Sequence, residues 1–146
     1  MKQILIIGGG GFIGINLAKK LSEQPGTRVT VMDDFSRSSK NLKYLQNIKS
    51  VDLIALSLLD AVVEDFGVKQ FDEIYMLAAI VGVNQVNSNP LNTLMINTSL
   101  NLKFIELISK IRPSAVVFSS TSEVYAGAVE IGLTNVPTSE KAPICS

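Results

Sequence analysis

Histidine is missing from this 146-residue sequence, and that absence removes a Ser-His triad, an imidazole general base and every His-rich metal site. Any proton chemistry must use carboxylates, hydroxyls or a Tyr/Lys pair. The single cysteine, Cys145, excludes an intrachain disulfide, leaves the redox environment unconstrained and makes a reducing cytoplasm the default expectation. A charge excess is missing too: 13 basic and 13 acidic residues cancel, so there is no electrostatic footprint for nucleic acid or an anionic membrane. Long apolar runs are also lacking. One lysine and four apolar residues, 4–7, precede the first glycines, too few for a signal peptide, and no later stretch is long enough to span a bilayer. The expectation is a soluble cytoplasmic protein with no nucleic-acid partner, no membrane partner and no metal.

What is present is apolar and regularly punctuated. A hydrophobic content of 47% fits one compact domain with a real core. Short apolar runs predict strands at residues 3–7, 28–32, 51–55, 74–78 and 115–119. Most lack in/out alternation, as expected of a parallel sheet covered on both faces. Helices are predicted at 12–23, with Ile13, Leu17 and Leu21 four apart, at 59–66, and at 90–111. In the last, Leu91, Leu94, Met95, Leu102, Ile105 and Ile108 are read as one stripe. Pro90 suits a first helical turn, and Pro113 stops the helix soon after Ile111. Residues 36–40 read as a short polar loop, and 125–146 show no clear periodicity. Alternating strands and helices imply a doubly wound α/β domain.

The first predicted strand runs directly into Gly8-Gly9-Gly10-Gly11-Phe12-Ile13-Gly14, which opens the first helix. In the spacing Gly8-x-x-Gly11-x-x-Gly14, Gly8 permits a tight turn, Gly11 lets backbone N–H groups approach a pyrophosphate, and Gly14 allows close helix packing. Free N–H groups and the helix dipole favour negative phosphates there. Asp33 ends the second strand nineteen positions after Gly14. An acid in that place accepts both hydroxyl hydrogens of an adenosine ribose and repels a 2′-phosphate, so NAD is favoured over NADP, with Arg37 able to soften the preference. Asp34 stands between adenosine contact and simple solvation.

Several segments carry a family resemblance: Ile6 and Ile7 with the glycine loop, Asp33-Asp34-Phe35-Ser36, Leu77-Ala78-Ala79, Asn97, and Ser119-Ser120-Thr121-Ser122-Glu123-Val124-Tyr125. Over almost its whole length the sequence resembles the extended short-chain dehydrogenase/reductase family, the nucleotide-sugar epimerases, dehydratases and decarboxylases. The resemblance implies a Rossmann fold with Gly8, Gly11, Phe12, Ile13, Gly14, Asp33, Asp34, Ser36, Leu58, Leu77, Ala78, Ala79, Ile80, Asn97 and Ser119 around the cofactor. Leu77-Ala78-Ala79 would equally suit a buried strand end, and Asn97 a satisfied polar group in mid-helix. Thr121 aligns with the family's catalytic Ser/Thr, whose hydroxyl bonds the sugar hydroxyl being oxidised; a serine-rich turn capping a strand is the alternative. Glu123 resembles a proton-moving glutamate of certain dehydratases and decarboxylases, or is a solvated or structural residue.

The departures from the family are specific. Ser57 stands where an adenine-contacting Asp is frequent, leaving adenine to Leu58 and backbone groups; Met76 replaces a common histidine, Val81 a lysine of some epimerases, and Ala126 a glycine. No tyrosine is followed four positions later by lysine, since Tyr44, Tyr75 and Tyr125 lead to Ile48, Ala79 and Val129. The family's Tyr transfers the hydroxyl proton while its Lys lowers the Tyr pKa. The sequence is accordingly read as the N-terminal part of a longer enzyme, lacking the Tyr/Lys helix and a sugar-binding C-terminal domain, and inactive alone. For the complete enzyme the resemblance implies hydride transfer from a nucleotide-sugar carbon to bound NAD, giving a transient ketone that leads to epimerisation, dehydration or decarboxylation. A non-catalytic NAD-binding sensor and a dehydrogenase releasing NADH are the alternatives. Family members often dimerise through the long helix, so a homodimer, here marginal or altered, is expected.

Overall fold

The computed structural model describes residues 1–37, 39–66 and 70–145. Five strands, β1 (Lys2–Ile7), β2 (Thr27–Asp33), β3 (Val51–Ala55), β4 (Glu73–Met76) and β5 (Ala115–Phe118), form one sheet in the order β3-β2-β1-β4-β5. All four pairings are parallel. Ile7 lies opposite Met32 on one side and Met76 on the other, so the carboxyl ends of the central strands form one level rim. The helices are α1 (Phe12–Ser22), α2 (Ser39–Gln46), α3 (Val83–Ser88), α4 (Pro90–Ile111) and α5 (Ala126–Glu130).

The continuous apolar strands are divided between two cores. Ile4 and Ile6 of β1 join Val29, Val31 and Val51 under α1 and α2, where Ala18, Leu21 and Leu45 close the layer. Leu5 and Ile7 point the other way, with Met32, Ile74 and Met76, against Leu100, Phe104, Leu107 and Ile111 of α4. Each such side chain, fully buried, contributes about 1.5–3 kcal/mol. This is the doubly wound α/β arrangement expected from the sequence, with helices on both faces of a parallel sheet.

The ends of α4 fall at Pro90 and Ile111, as the sequence indicates, and each has a local cause. The Asn89 side chain accepts the Asn92 N–H, and Pro90 sits in the first turn. At the other end Arg112 adopts a left-handed conformation, φ 53°, and its N–H bonds Ile108 O.

The predicted stripe on α4 is wrong in its facing. Leu91, Leu94, Met95, Leu102 and Ile105 are exposed, Leu91 at 67%, Ile108 alone of the stripe packs against the core, and the buried positions are Thr93, Leu100, Phe104, Leu107 and Ile111. The helix carries two apolar faces, and periodicity alone did not say which one meets the sheet. In α1 the spaced residues also differ: Leu21 is buried, Ile13 is exposed, and Ala18 completes the contact.

The helix expected at 59–66 shrinks to a single 3-10 turn, Val63–Phe66. Local side-chain bonds compete with helix there: Ser57 Oγ accepts the Leu59 N–H and Asp65 Oδ2 the Val62 N–H. The polar loop expected at 36–40 gives way to α2 from Ser39 onward, while Ser38 lies outside the described residues. Strands β4 and β5 stop at Met76 and Phe118, short of the expected Ala78 and Ser119. A 3-10 turn at Ser122–Tyr125 leads into the aperiodic tail, which contains the short α5; Ser146 lies outside the described residues. Strand β5 forms the sheet edge, and its Val116, Val117 and Phe118 are 42%, 45% and 51% exposed.

Candidate functional site

The chain order reverses between β1 and β4: β1, β2 and β3 build outward in one direction, then β4 and β5 in the other. Ligands of such sheets bind beyond the strand carboxyl ends at this switch point. A cavity of about 840 Å³ opens there, within the range of cofactor sites. Its floor is the glycine loop.

Gly8 turns the chain out of β1 at φ +80°, and a Cβ on it would stand 2.4 Å from Ala78 N, because the ends of β1 and β4 are nearly in contact. Gly14 is held 2.4 Å from the Gly9 Cα by the same measure, so α1 packs onto the loop itself. Gly11 differs. It has ordinary backbone angles, and a Cβ there would meet only Gly8 O, at 3.5 Å. The protein's own packing therefore does not require glycine at this position. The open side of Gly11 faces the cavity, and bare backbone there is what close approach of a ligand needs.

Helix α1 begins at Gly11 without a side-chain cap and without an acidic residue in its first turn. The first main-chain helical bond is made by Ile15 to Gly11 O, so the amides of Phe12, Ile13 and Gly14 precede the ladder. Phe12 and Ile13 are 86% and 66% exposed and line the cavity. This uncapped start suits an anion.

Beside the loop stands Asp33, at the end of β2. Its Oδ2 accepts the Gly10 N–H at 2.9 Å and its Oδ1 accepts the Phe35 N–H at 2.7 Å. Each oxygen retains a lone pair for a further donor. Phe35 is buried with φ 53°, a left-handed conformation rare for a bulky residue. Asp34 caps the turn: its Oδ1 accepts both the N–H and the hydroxyl of Ser36. Asp34, Ser36 and Arg37 also line the cavity.

Leu58, after β3, lines the cavity on the Asp33 side, and Leu77, Ala78, Ala79, Ile80 and Ser119, after β4 and β5, line the other side. Ser119 Oγ donates to Met76 O at 2.9 Å, tying the end of β5 to that of β4. Asn97 does not line the cavity. It donates through Nδ2 to Ile80 O at 3.0 Å and accepts the Ile80 N–H at 2.8 Å. It holds the cavity wall from behind. Thr121 and Glu123 are exposed and stand outside the cavity lining; Thr121 Oγ1 accepts the Glu123 N–H at 3.3 Å as the cap of the 3-10 turn.

Gly10 and Asn41 are among the lining residues that the sequence does not single out. A Cβ on Gly10 would lie 2.7 Å from Asp33 Cγ, and Asn41 of α2 donates to Gly10 O at 2.7 Å. The fourth glycine in a motif that needs three was the available signal for Gly10. Asn41 carries none, because the start of α2 reads as polar loop.

Comparison with known proteins matches residues 4–144 to the model of the NAD dependent epimerase/dehydratase family. The chain belongs to that family. Among the relatives of this epimerase/dehydratase chain, the UDP-N-acetyl-alpha-D-glucosaminuronate decarboxylase of Bacillus cytotoxicus is 34% identical over 125 residues, 85% of this chain and 38% of the relative. UDP-glucuronic acid decarboxylase 1 of Danio rerio is 35% identical over 125 residues, covering 85% and 28%. In structure, the UDP-Glc/GlcNAc 4-epimerase of Campylobacter jejuni superposes with a TM-score of 0.78 at 27% identity, over 99% of this chain and 43% of that one. This member of the family thus spans less than half the length of these relatives.

Proposed function

We propose that this chain is the NAD-holding part of a nucleotide-sugar epimerase, dehydratase or decarboxylase. The observation that carries the proposal is the uncapped, acid-free start of α1 with bare backbone at Gly11, lining one cavity together with the Asp33 carboxylate. The family description supports the cofactor, and the donor set fits it. Amides of the first turn of α1 take the diphosphate, Asp33 takes the adenosine ribose hydroxyls with Asp34 and Ser36 beside it, and Leu58 lies against adenine. Leu77, Ala78, Ala79 and Ile80, held by Asn97, form the wall for the nicotinamide half together with Ser119. Bound NAD supplies a hydride acceptor. Thr121 bonds the sugar hydroxyl being oxidised, and Glu123 moves a second proton at the sugar.

The substrate is a nucleotide sugar. Two relatives at 34% and 35% identity are decarboxylases of UDP-linked uronic acids, which favours a carboxylated sugar as a second reading beside an epimerase substrate. Calorimetric titration tests the core of the proposal: saturable NAD binding, tighter than NADP, is expected, and a chain indifferent to NAD overturns it. Because no Tyr-x-x-x-Lys occurs in the sequence, turnover by this chain alone is not expected.

Self-association through the exposed face of α4 is also part of the proposal, supported by the run of Leu91, Leu94, Met95, Leu102 and Ile105 at its surface. Sedimentation velocity is expected to show concentration-dependent association that Leu102→Lys weakens; a clean monomer at all concentrations counts against it.

A further inference from the structure

We propose that Asn41 is a positioning residue for the diphosphate loop, fixing through the Gly10 carbonyl the peptide plane on which the first turn of α1 is built. The inference deepens the NAD assignment and rests on it. Its basis is the contact from Asn41 Nδ2 to Gly10 O, 2.7 Å long and part-buried, between residues 31 positions apart.

Four consecutive glycines, Gly8 to Gly11, have the widest conformational freedom a backbone can have, and their peptides can turn over at little steric cost. A trans peptide is planar, so holding its oxygen also sets the direction of its N–H. The Gly10 oxygen shares its peptide with the Gly11 N–H, which points back to Gly8 O at 3.3 Å. Gly11 is the residue from which α1 starts. The peptide before it is held from the other side, where the Gly10 N–H donates to Asp33 Oδ2 at 2.9 Å. Gly10 is therefore gripped at both of its peptide groups by side chains of the β2 to α2 crossing, one acceptor and one donor. The grip leaves no slack, since a Cβ on Gly10 would stand 2.7 Å from Asp33 Cγ and 2.9 Å from the Phe35 ring. A loop set in this way before the ligand arrives has less ordering to do on binding.

The chemistry at position 41 is specific. A carbonyl oxygen needs a donor, and Asn41→Asp keeps the shape while placing oxygen against oxygen. Asn41→Leu removes the donor without adding charge.

Titrating the wild-type chain and both variants with ADP-ribose and with adenosine, which has no phosphate, separates the effect on the loop from damage to the whole cavity. ADP-ribose is expected to bind about tenfold more weakly to both variants, the upper range for one hydrogen bond, with adenosine affinity changed by less than about twofold. Folded variants that bind ADP-ribose like the wild type overturn the inference, as does an equal loss for both ligands. If a variant does not fold, the wild-type chain still decides: the Asn41 side-chain amide resonances are expected to be protected from water exchange and to shift on ADP-ribose binding. Resonances unmoved by the ligand overturn the inference. A wild-type chain that binds neither ligand overturns the NAD assignment, and this inference with it.

Discussion

Asp33 Oδ2 accepts the N–H of Gly10 at 2.9 Å, so the carboxylate proposed to grip the adenosine ribose also braces the loop proposed to hold the diphosphate. Replacing Asp33 then has two consequences at once. Asp33→Ala is expected to weaken NAD about tenfold or more, through the lost ribose bonds and the unbraced loop, and to weaken NADP less, since lost repulsion of its 2′-phosphate offsets part of the loss. Parallel titrations with the two dinucleotides measure the ratio. An unchanged preference for NAD in the variant refutes the ribose assignment.

The glycines of the loop divide into those the fold needs and one it does not. Gly8→Ala places a Cβ against the Ala78 backbone at a positive φ and is expected to destabilise the chain by about 2 kcal/mol or more. Gly11→Ala meets no such obstacle and is expected to leave thermal unfolding nearly unchanged while lowering NAD affinity at least about tenfold. Denaturation and titration on the same two variants check the contrast.

Most of this architecture was legible in the sequence, for a physical reason. Strands β1 and β2 are buried on both faces and so read as unbroken apolar runs, and the ends of α4 are written in Pro90 and Pro113. Facing was less legible. Leu94, Met95 and Leu102 are as apolar as Leu100, Phe104 and Leu107, and only packing against the sheet tells the two sets apart. Short polar helices were not legible either: α2 begins in Ser39 and Lys40, residues that suit a loop equally well. Since Asn41 lies on that helix, its bond to Gly10 could not be foreseen. At the site itself the glycine spacing and Asp33 point to one part of the cavity lining and the family resemblance to the rest, while Thr121 and Glu123 stand outside it and Asn97 acts on it through the backbone of Ile80.

That pair of bonds gives a third expectation. Asn97→Leu leaves the Ile80 N–H and carbonyl without their partners and is expected to cost about 1–3 kcal/mol in stability. It should also loosen the wall facing the nicotinamide, so NAD is expected to weaken more than ADP-ribose does. Equal effects on the two ligands would place the action of Asn97 elsewhere.

The far end of the sheet supplies a pH dependence. Partial burial, followed by the bond from its hydroxyl to Glu73, raises the Tyr75 phenol above its ordinary value of 10.0. A raised folded-state value means that the stabilising contribution is complete below the unfolded value and is lost as pH rises through the folded one. Urea unfolding across the alkaline range is expected to show stability declining with pH above about 10, and declining less steeply in Tyr75→Phe. Identical slopes in the two chains would contradict this.

The central claim is that backbone amides at the first turn of α1 receive the diphosphate of NAD. Backbone amide NMR during an NAD titration tests it most directly. The largest shifts are expected at Phe12, Ile13 and Gly14, with a second set around Asp33 and Ser36; saturable binding that leaves the Phe12 to Gly14 amides unmoved would contradict the account.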